Sequence, residues 1–199
     1  MNPLTLRHRL DDTLNHELNS VFELRVIDLG AGNGMMGEVL KREGVARLVG
    51  ADIIPEARDA AYRDRSTVYD DYYIEDFTNL DGDVLRELRD WRFDCLTCVA
   101  ALGFGDVPPQ AFFNAMKLVR TDGWLAFNIK ETFLDHTENA GLSRLVRELI
   151  FSKYLDVYHL ELYRHRLSME GTQLFYYALV GRMTASIPED FLAQHGIED

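Results

Sequence analysis

The chain has 199 residues, 47% of them hydrophobic, which is enough for one well-buried core. Its formal charge of -12 repels an anionic backbone, so DNA and RNA are disfavoured as partners and a small-molecule substrate is expected instead. The longest apolar run, Cys95 to Gly105, is too short to span a bilayer, and Asp11 and Asp12 stand where a signal peptide would be apolar, so a cytoplasmic protein without membrane attachment is expected.

Along the chain, residues 1–22 carry Leu6, Leu10, Leu14 and Leu18 four apart, the spacing of an amphipathic helical arm packed on a single domain. A core over 23–181 and a tail over 182–199 follow. Short runs rich in Val, Ile, Phe and Tyr predict strands over 24–29, 46–53, 72–77, 93–100 and 123–129. Between them, helices are predicted over 34–43, 55–63, 83–90 and 108–120, the last from the recurrence of Phe112, Met116 and Val119. Pro55 and Pro108 fall at helix starts, where proline is best tolerated. Such alternation predicts an α/β fold, a doubly wound, Rossmann-like sheet with helices on both faces. After a helix over 142–152, two β-prone runs flank Met169, Glu170 and Gly171, a hairpin signal. The hairpin completes a seven-stranded, mostly parallel sheet with one antiparallel strand.

Cys95 and Cys98 form a lone C-x-x-C inside a predicted strand. Residues three apart on a strand point to opposite faces, so the two sulfurs diverge and read as core cysteines, with no metal site implied.

The stretch "VIDLGAGNG", Val26 to Gly34, places Asp28 at the end of the first strand and follows it with Gly30, Gly32 and Gly34. Glycines here allow a tight turn and close approach of backbone to a ligand. A dinucleotide fingerprint would need glycine three residues after Gly32, where Met35 stands, and the phosphate-loop pattern is absent. The Asp28 carboxylate would repel pyrophosphate and favour a cationic ligand.

In these residues the chain resembles class I S-adenosylmethionine-dependent methyltransferases. The resemblance implies S-adenosyl-L-methionine as cofactor, with Asp28 directed to its ammonium group and the loop of Gly30, Ala31, Gly32, Asn33 and Gly34 beside it. Asp52, eighteen residues beyond Gly34, matches the acid that accepts from the ribose hydroxyls, and Ile53 the apolar residue against adenine. Asp76 and Phe77 match the pair that receives the adenine amino group and covers the ring; Cys98 and Val99 fall in the family's fourth-strand segment beside the cofactor. Thr121 and Asp122 depart from the family's usual Pro and Gly before the fifth strand. Within the family, the spacing from Val99 to Pro108 is similar to the small methyltransferase-like proteins exemplified by the Williams-Beuren-region methyltransferase.

Methyl transfer from a sulfonium is a direct displacement that needs approach geometry and exclusion of water, and a base only where the acceptor must lose a proton. No motif marks a base. His136, after the fifth strand, is the candidate by position, and Lys130 and Glu131 share its neighbourhood. The aromatic run Val68 to Tyr73 reads either as a pocket near the sulfonium or as two faces of a strand. A non-catalytic cofactor-binding partner protein and aminopropyl transfer of the polyamine-synthase kind are alternative readings, and the oligomeric state is not written in the sequence.

Overall fold

The structure, a computed structural model, describes residues 23–102, 107–135 and 141–197. The predicted N-terminal arm therefore lies outside the described residues. Seven strands form one sheet: β1 (Arg25–Leu29), β2 (Arg47–Asp52), β3 (Asp71–Ile74), β4 (Phe93–Cys98), β5 (Val119–Lys130), β6 (Leu155–Leu167) and β7 (Gln173–Met183). Their spatial order is β3-β2-β1-β4-β5-β7-β6. The first five pair in parallel, and β7 runs antiparallel to both β5 and β6. The strand order reverses between β1 and β4, and in an open α/β sheet ligands bind outside the carboxyl ends of the strands at that point.

Among the described residues, six helices connect and cover the sheet: α1 (Met35–Arg42), α2 (Pro55–Asp64), α3 (Gly82–Asp90), α4 (Pro109–Met116), α5 (Gly141–Phe151) and α6 (Phe191–Gln194). Leu40 of α1 and Ala61 of α2 pack with Val26, Leu48 and Trp124 on one face. Leu88 of α3, Phe112 and Met116 of α4, Leu145 and Leu149 of α5 and Phe191 of α6 pack with Ile27, Leu96 and Phe127 on the other. Alternate residues of the central strands thus serve two cores, which is why those strands read as continuous apolar runs. Cys95 joins the first cluster and Cys98 the second, both as free thiols, so the sulfurs do diverge.

Several boundaries differ from the sequence reading. Helix α4 stops at Met116 instead of running to 120, because Val119 already pairs with Phe93 at the start of β5. The apolar residues at helical spacing belong to two elements that share one core. Strand β3 ends at Ile74, which puts Asp76 and Phe77 in the following loop. Strand β7 ends at Met183, where the predicted β-prone run ends, and the tail beyond it buries Ile187, Phe191, Leu192 and Ile197 in the core. Asp122 adopts φ 63, the left-handed conformation for which the resembling family uses glycine; Asp is among the residues that tolerate it.

Candidate functional site

The loop that leaves β1 is held on every side by hydrogen bonds. Gly30 N and Ala31 N both donate to Ala51 O, at 2.8 and 3.1 Å, tying the loop to the end of β2. Gly32 N donates to Asp52 Oδ2 at 2.9 Å, and Ile54 N donates to Asp52 Oδ1 at 3.1 Å. Tyr72 Oη donates to Gly32 O at 2.9 Å, and Arg65 Nη1 to Asn33 O at 3.1 Å. Gly30, Gly32 and Gly34 all have positive φ, at 67, 53 and 83°. The consequence is a preorganised backbone with the Asp52 carboxylate fixed beside it.

Asp28 is 1% exposed and sits between two hydroxyl donors: Thr97 Oγ1 at 2.7 Å from Oδ1, and Tyr69 Oη at 2.8 Å from Oδ2. Burial outweighs those bonds and raises its pKa from 3.8 to about 6, with the charge on Asp52 contributing in the same direction. Burial and Asp28 together push the Tyr69 hydroxyl upward, so Tyr69 remains a donor.

A raised carboxyl pKa means that the folded chain binds the proton more tightly than the unfolded chain. The associated stability is fully present below pH 3.8 and is lost as pH rises through about 6. The loss is on the order of 3 kcal/mol by pH 7. Urea unfolding of wild type and Asp28→Asn should therefore diverge by that order across this interval, with wild type losing ground as pH rises. A difference between the two that does not change with pH contradicts this account.

The crevice at the strand ends has a volume of about 410 Å³ and is lined by Leu29 and Gly30, by Asp52, Ile53 and Ile54, by Glu75 to Thr78, and by Ala100, Ala101, Val107, Pro108 and Ala111. Ile53 is 60% exposed there, an apolar side chain offered to solvent beside a carboxylate. Asp76 Oδ1 accepts from Thr78 N at 2.9 Å and Thr78 Oγ1 at 2.6 Å, bonds that lower its pKa and keep it ionised. Phe77 is 3% exposed and belongs to the core as well as the crevice wall. Asn114 of α4 donates to Phe77 O at 2.7 Å and so holds the loop after β3 against the helix.

Gly30, Asp52, Ile53, Asp76 and Phe77 are thus brought to one crevice. Asp28 lies directly behind the loop, enclosed. Ala31, Gly32, Asn33 and Gly34 continue the loop toward α1, where Gly34 is the residue preceding the helix. Cys98 is enclosed in the core, Val99 is half-buried, and the wall after β4 is made instead by Ala100 and Ala101. His136 lies outside the described residues. Lys130 ends β5 and Glu131 opens the short 3-10 turn that follows.

Sequence reasoning missed Asn128, whose Oδ1 accepts at 2.7 Å from the backbone N of Ala100, a residue with φ 65. A polar residue inside the apolar run of β5 was the available signal for Asn128, since a buried amide must find partners.

The sequence profile of the methyltransferase domain matches residues 5–167. The chain belongs to the methyltransferase domain family. This methyltransferase domain is 29% identical over 133 residues to the ubiquinone biosynthesis O-methyltransferase of Actinobacillus pleuropneumoniae serotype 7, a match covering 64% of this chain and 53% of that protein. The chain thus spans about half the length of the curated relatives it matches. Among solved structures, it resembles Thermoplasma acidophilum protein 1320, with a TM-score of 0.61 at 20% identity over 92% of this chain and 86% of that one. It also resembles the N-methyltransferase NodS of Bradyrhizobium japonicum, solved with S-adenosyl-L-homocysteine, with a TM-score of 0.58 at 15% identity over 91% and 86% of the two chains. At these identities the structural likenesses establish the shared fold.

Proposed function

We propose that this methyltransferase domain binds S-adenosyl-L-methionine in the crevice at the ends of β1, β2 and β4 and transfers its methyl group to a small-molecule acceptor. The observation that carries the reading is Asp52, a carboxylate pinned by two backbone amides at the mouth of an apolar slot, with lone pairs left for the ribose hydroxyls. Ile53 and Phe77 supply apolar surface for the adenine ring, and the ionised Asp76 accepts from its amino group. At Gly30, where an added Cβ would lie 2.7 Å from Ala101 Cβ, the loop after β1 packs directly on the segment after β4, which fixes the two walls of the crevice against each other. Asp28, ringed by hydroxyls behind the loop, places negative potential where the cofactor's ammonium and sulfonium charges would lie, directly or through water.

When bound, the cofactor supplies an electrophilic methyl group. The protein's share is orientation and exclusion of water, which the tightly bonded loop and apolar walls provide. The acidic composition favours a small acceptor over nucleic acid, and the O-methyltransferase relative supports the same class. Affiliation with the small Williams-Beuren-like methyltransferases rests on the Val99 to Pro108 spacing. Calorimetric titration of S-adenosyl-L-methionine, S-adenosyl-L-homocysteine and NADH checks the reading. The two sulfur ligands should bind and NADH should not; the opposite order would replace methyl transfer with nicotinamide chemistry.

A further inference from the structure

The sheet register brings together a chain of polar groups that cofactor binding leaves unused. Asn128 on β5 lies opposite Ala178 on β7, and Ala178 lies opposite Glu161 on β6. Ala178 presents only a methyl group, so Tyr163, two residues further along β6, reaches back to Asn128: Nδ2 and Oη are 2.6 Å apart. Tyr163 Oη is in turn 3.2 Å from His165 Nδ1, and the His165 ring centroid is 4.4 Å from that of the buried Tyr176. Strands β5 and β6 run the same way, so all of these groups sit at the carboxyl edge of the sheet, where Ala100 lines the crevice.

Elementary chemistry fixes the protons. Ala100 N–H can only donate, so the Asn128 atom it meets is the carbonyl oxygen, and the atom facing Tyr163 is the amide nitrogen. That nitrogen can only donate, so Tyr163 Oη accepts and has its own proton left for His165 Nδ1. Nδ1 is then the unprotonated nitrogen of a neutral ring. Burial, followed by the charge on Arg166, lowers the His165 pKa and keeps the ring neutral, and burial raises that of Tyr163. Among the described residues, Tyr163 on its own strand and Tyr176 on β7 pack against the imidazole, and Arg166 is a neighbouring charge.

Resting on the function proposed above, we propose that Tyr163 takes the proton of an acceptor hydroxyl carried on an aromatic ring and relays it to His165. The acceptor O–H proton moves to Tyr163 Oη as the Tyr163 proton moves to His165 Nδ1, leaving an imidazolium. The freed oxygen pair forms the O–CH₃ bond while the pair of the broken S–CH₃ bond stays with sulfur as a thioether. A ring hydroxyl matches this relay because it is the same kind of acid as the tyrosine side chain, with an ordinary pKa of roughly 10, and must lose its proton to become a good nucleophile. A neutral amine already has a free pair and needs no base before attack, and a thiol ionises unaided more readily. The rings of half-buried Tyr163 and buried Tyr176 both pack against that of His165.

The probe is 4-nitrophenol, whose anion has its own absorption band, added at mildly acidic pH to the protein saturated with S-adenosyl-L-homocysteine. Wild type should bind it and enlarge the anion band, a drop of about one unit in the bound phenol's pKa being about a tenfold change in ionisation ratio. Tyr163→Phe and His165→Gln should lose that enlargement while keeping S-adenosyl-L-homocysteine affinity within about twofold; glutamine can still accept the Tyr163 hydrogen bond but cannot hold the proton. Turnover of a less acidic ring hydroxyl should fall roughly 100-fold or more in both variants. Equal ionisation in wild type and variants overturns the relay. If S-adenosyl-L-homocysteine binds but 4-nitrophenol does not, the acceptor assignment falls and the cofactor reading stands; if neither binds, both fall.

Discussion

Replacing Asp52 by alanine should weaken S-adenosyl-L-homocysteine binding by about 100-fold or more, the equivalent of roughly 3 kcal/mol. Two effects add in the same direction. The variant loses the acceptor for Gly32 N and Ile54 N, so the loop after β1 is no longer tied through a side chain to the end of β2. It also loses the carboxylate expected to accept from the ribose, and hydrogen bonds to a charged group are worth about 1.5–3 kcal/mol each. Asp52→Asn should fall between the two, because one carbonyl oxygen remains to accept while the amide nitrogen meets donors. Calorimetry distinguishes these, with circular dichroism to show that the sheet is intact. Affinity within about threefold of wild type in a folded Asp52→Ala protein would remove Asp52 from the site.

Gly30→Ala tests the packing side of the same loop. Gly30 has φ 67, and a Cβ placed there would lie 2.7 Å from Ala101 Cβ, closer than side-chain carbons approach. The left-handed conformation alone costs about 1–2 kcal/mol for a residue with a Cβ, and the contact with the segment after β4 adds overpacking of about 1–3 kcal/mol. We expect a loss of about 2–4 kcal/mol by urea unfolding, together with a measurable loss of cofactor affinity. The double variant Gly30→Ala, Ala101→Gly removes the contact and leaves the backbone strain, so it should recover about half of that loss. Purely additive destabilisation would show that the two segments do not meet as described.

The parts of the fold and site that were readable in the sequence have local causes. Alternating apolar runs and turn residues located the strands, and the order of strands and helices gave the doubly wound sheet. Asp28, the glycines and Asp52 were legible because each stands at a strand end, where a turn or a ligand imposes a residue type. What was not legible depends on partners far away in the chain. The end of α4 is set by Val119 pairing with Phe93, not by any stop signal near Met116. The enclosure of Asp28 needs Tyr69 and Thr97, which lie 41 and 69 residues away. The chain from Ala100 through Asn128 to Tyr163 and His165 depends on the order β5-β7-β6 and on a small residue at Ala178. Periodicity along a strand carries no information about which side chain will lie across the next one.

A crystal structure of the protein with S-adenosyl-L-homocysteine tests most directly whether the crevice at the ends of β1, β2 and β4 is the cofactor site. The ribose hydroxyls should lie on the Asp52 carboxylate, the adenine ring between Ile53 and Phe77, and the amino-acid end over the loop in front of Asp28. Ligand density elsewhere on the molecule, with this crevice holding only solvent, would contradict that assignment.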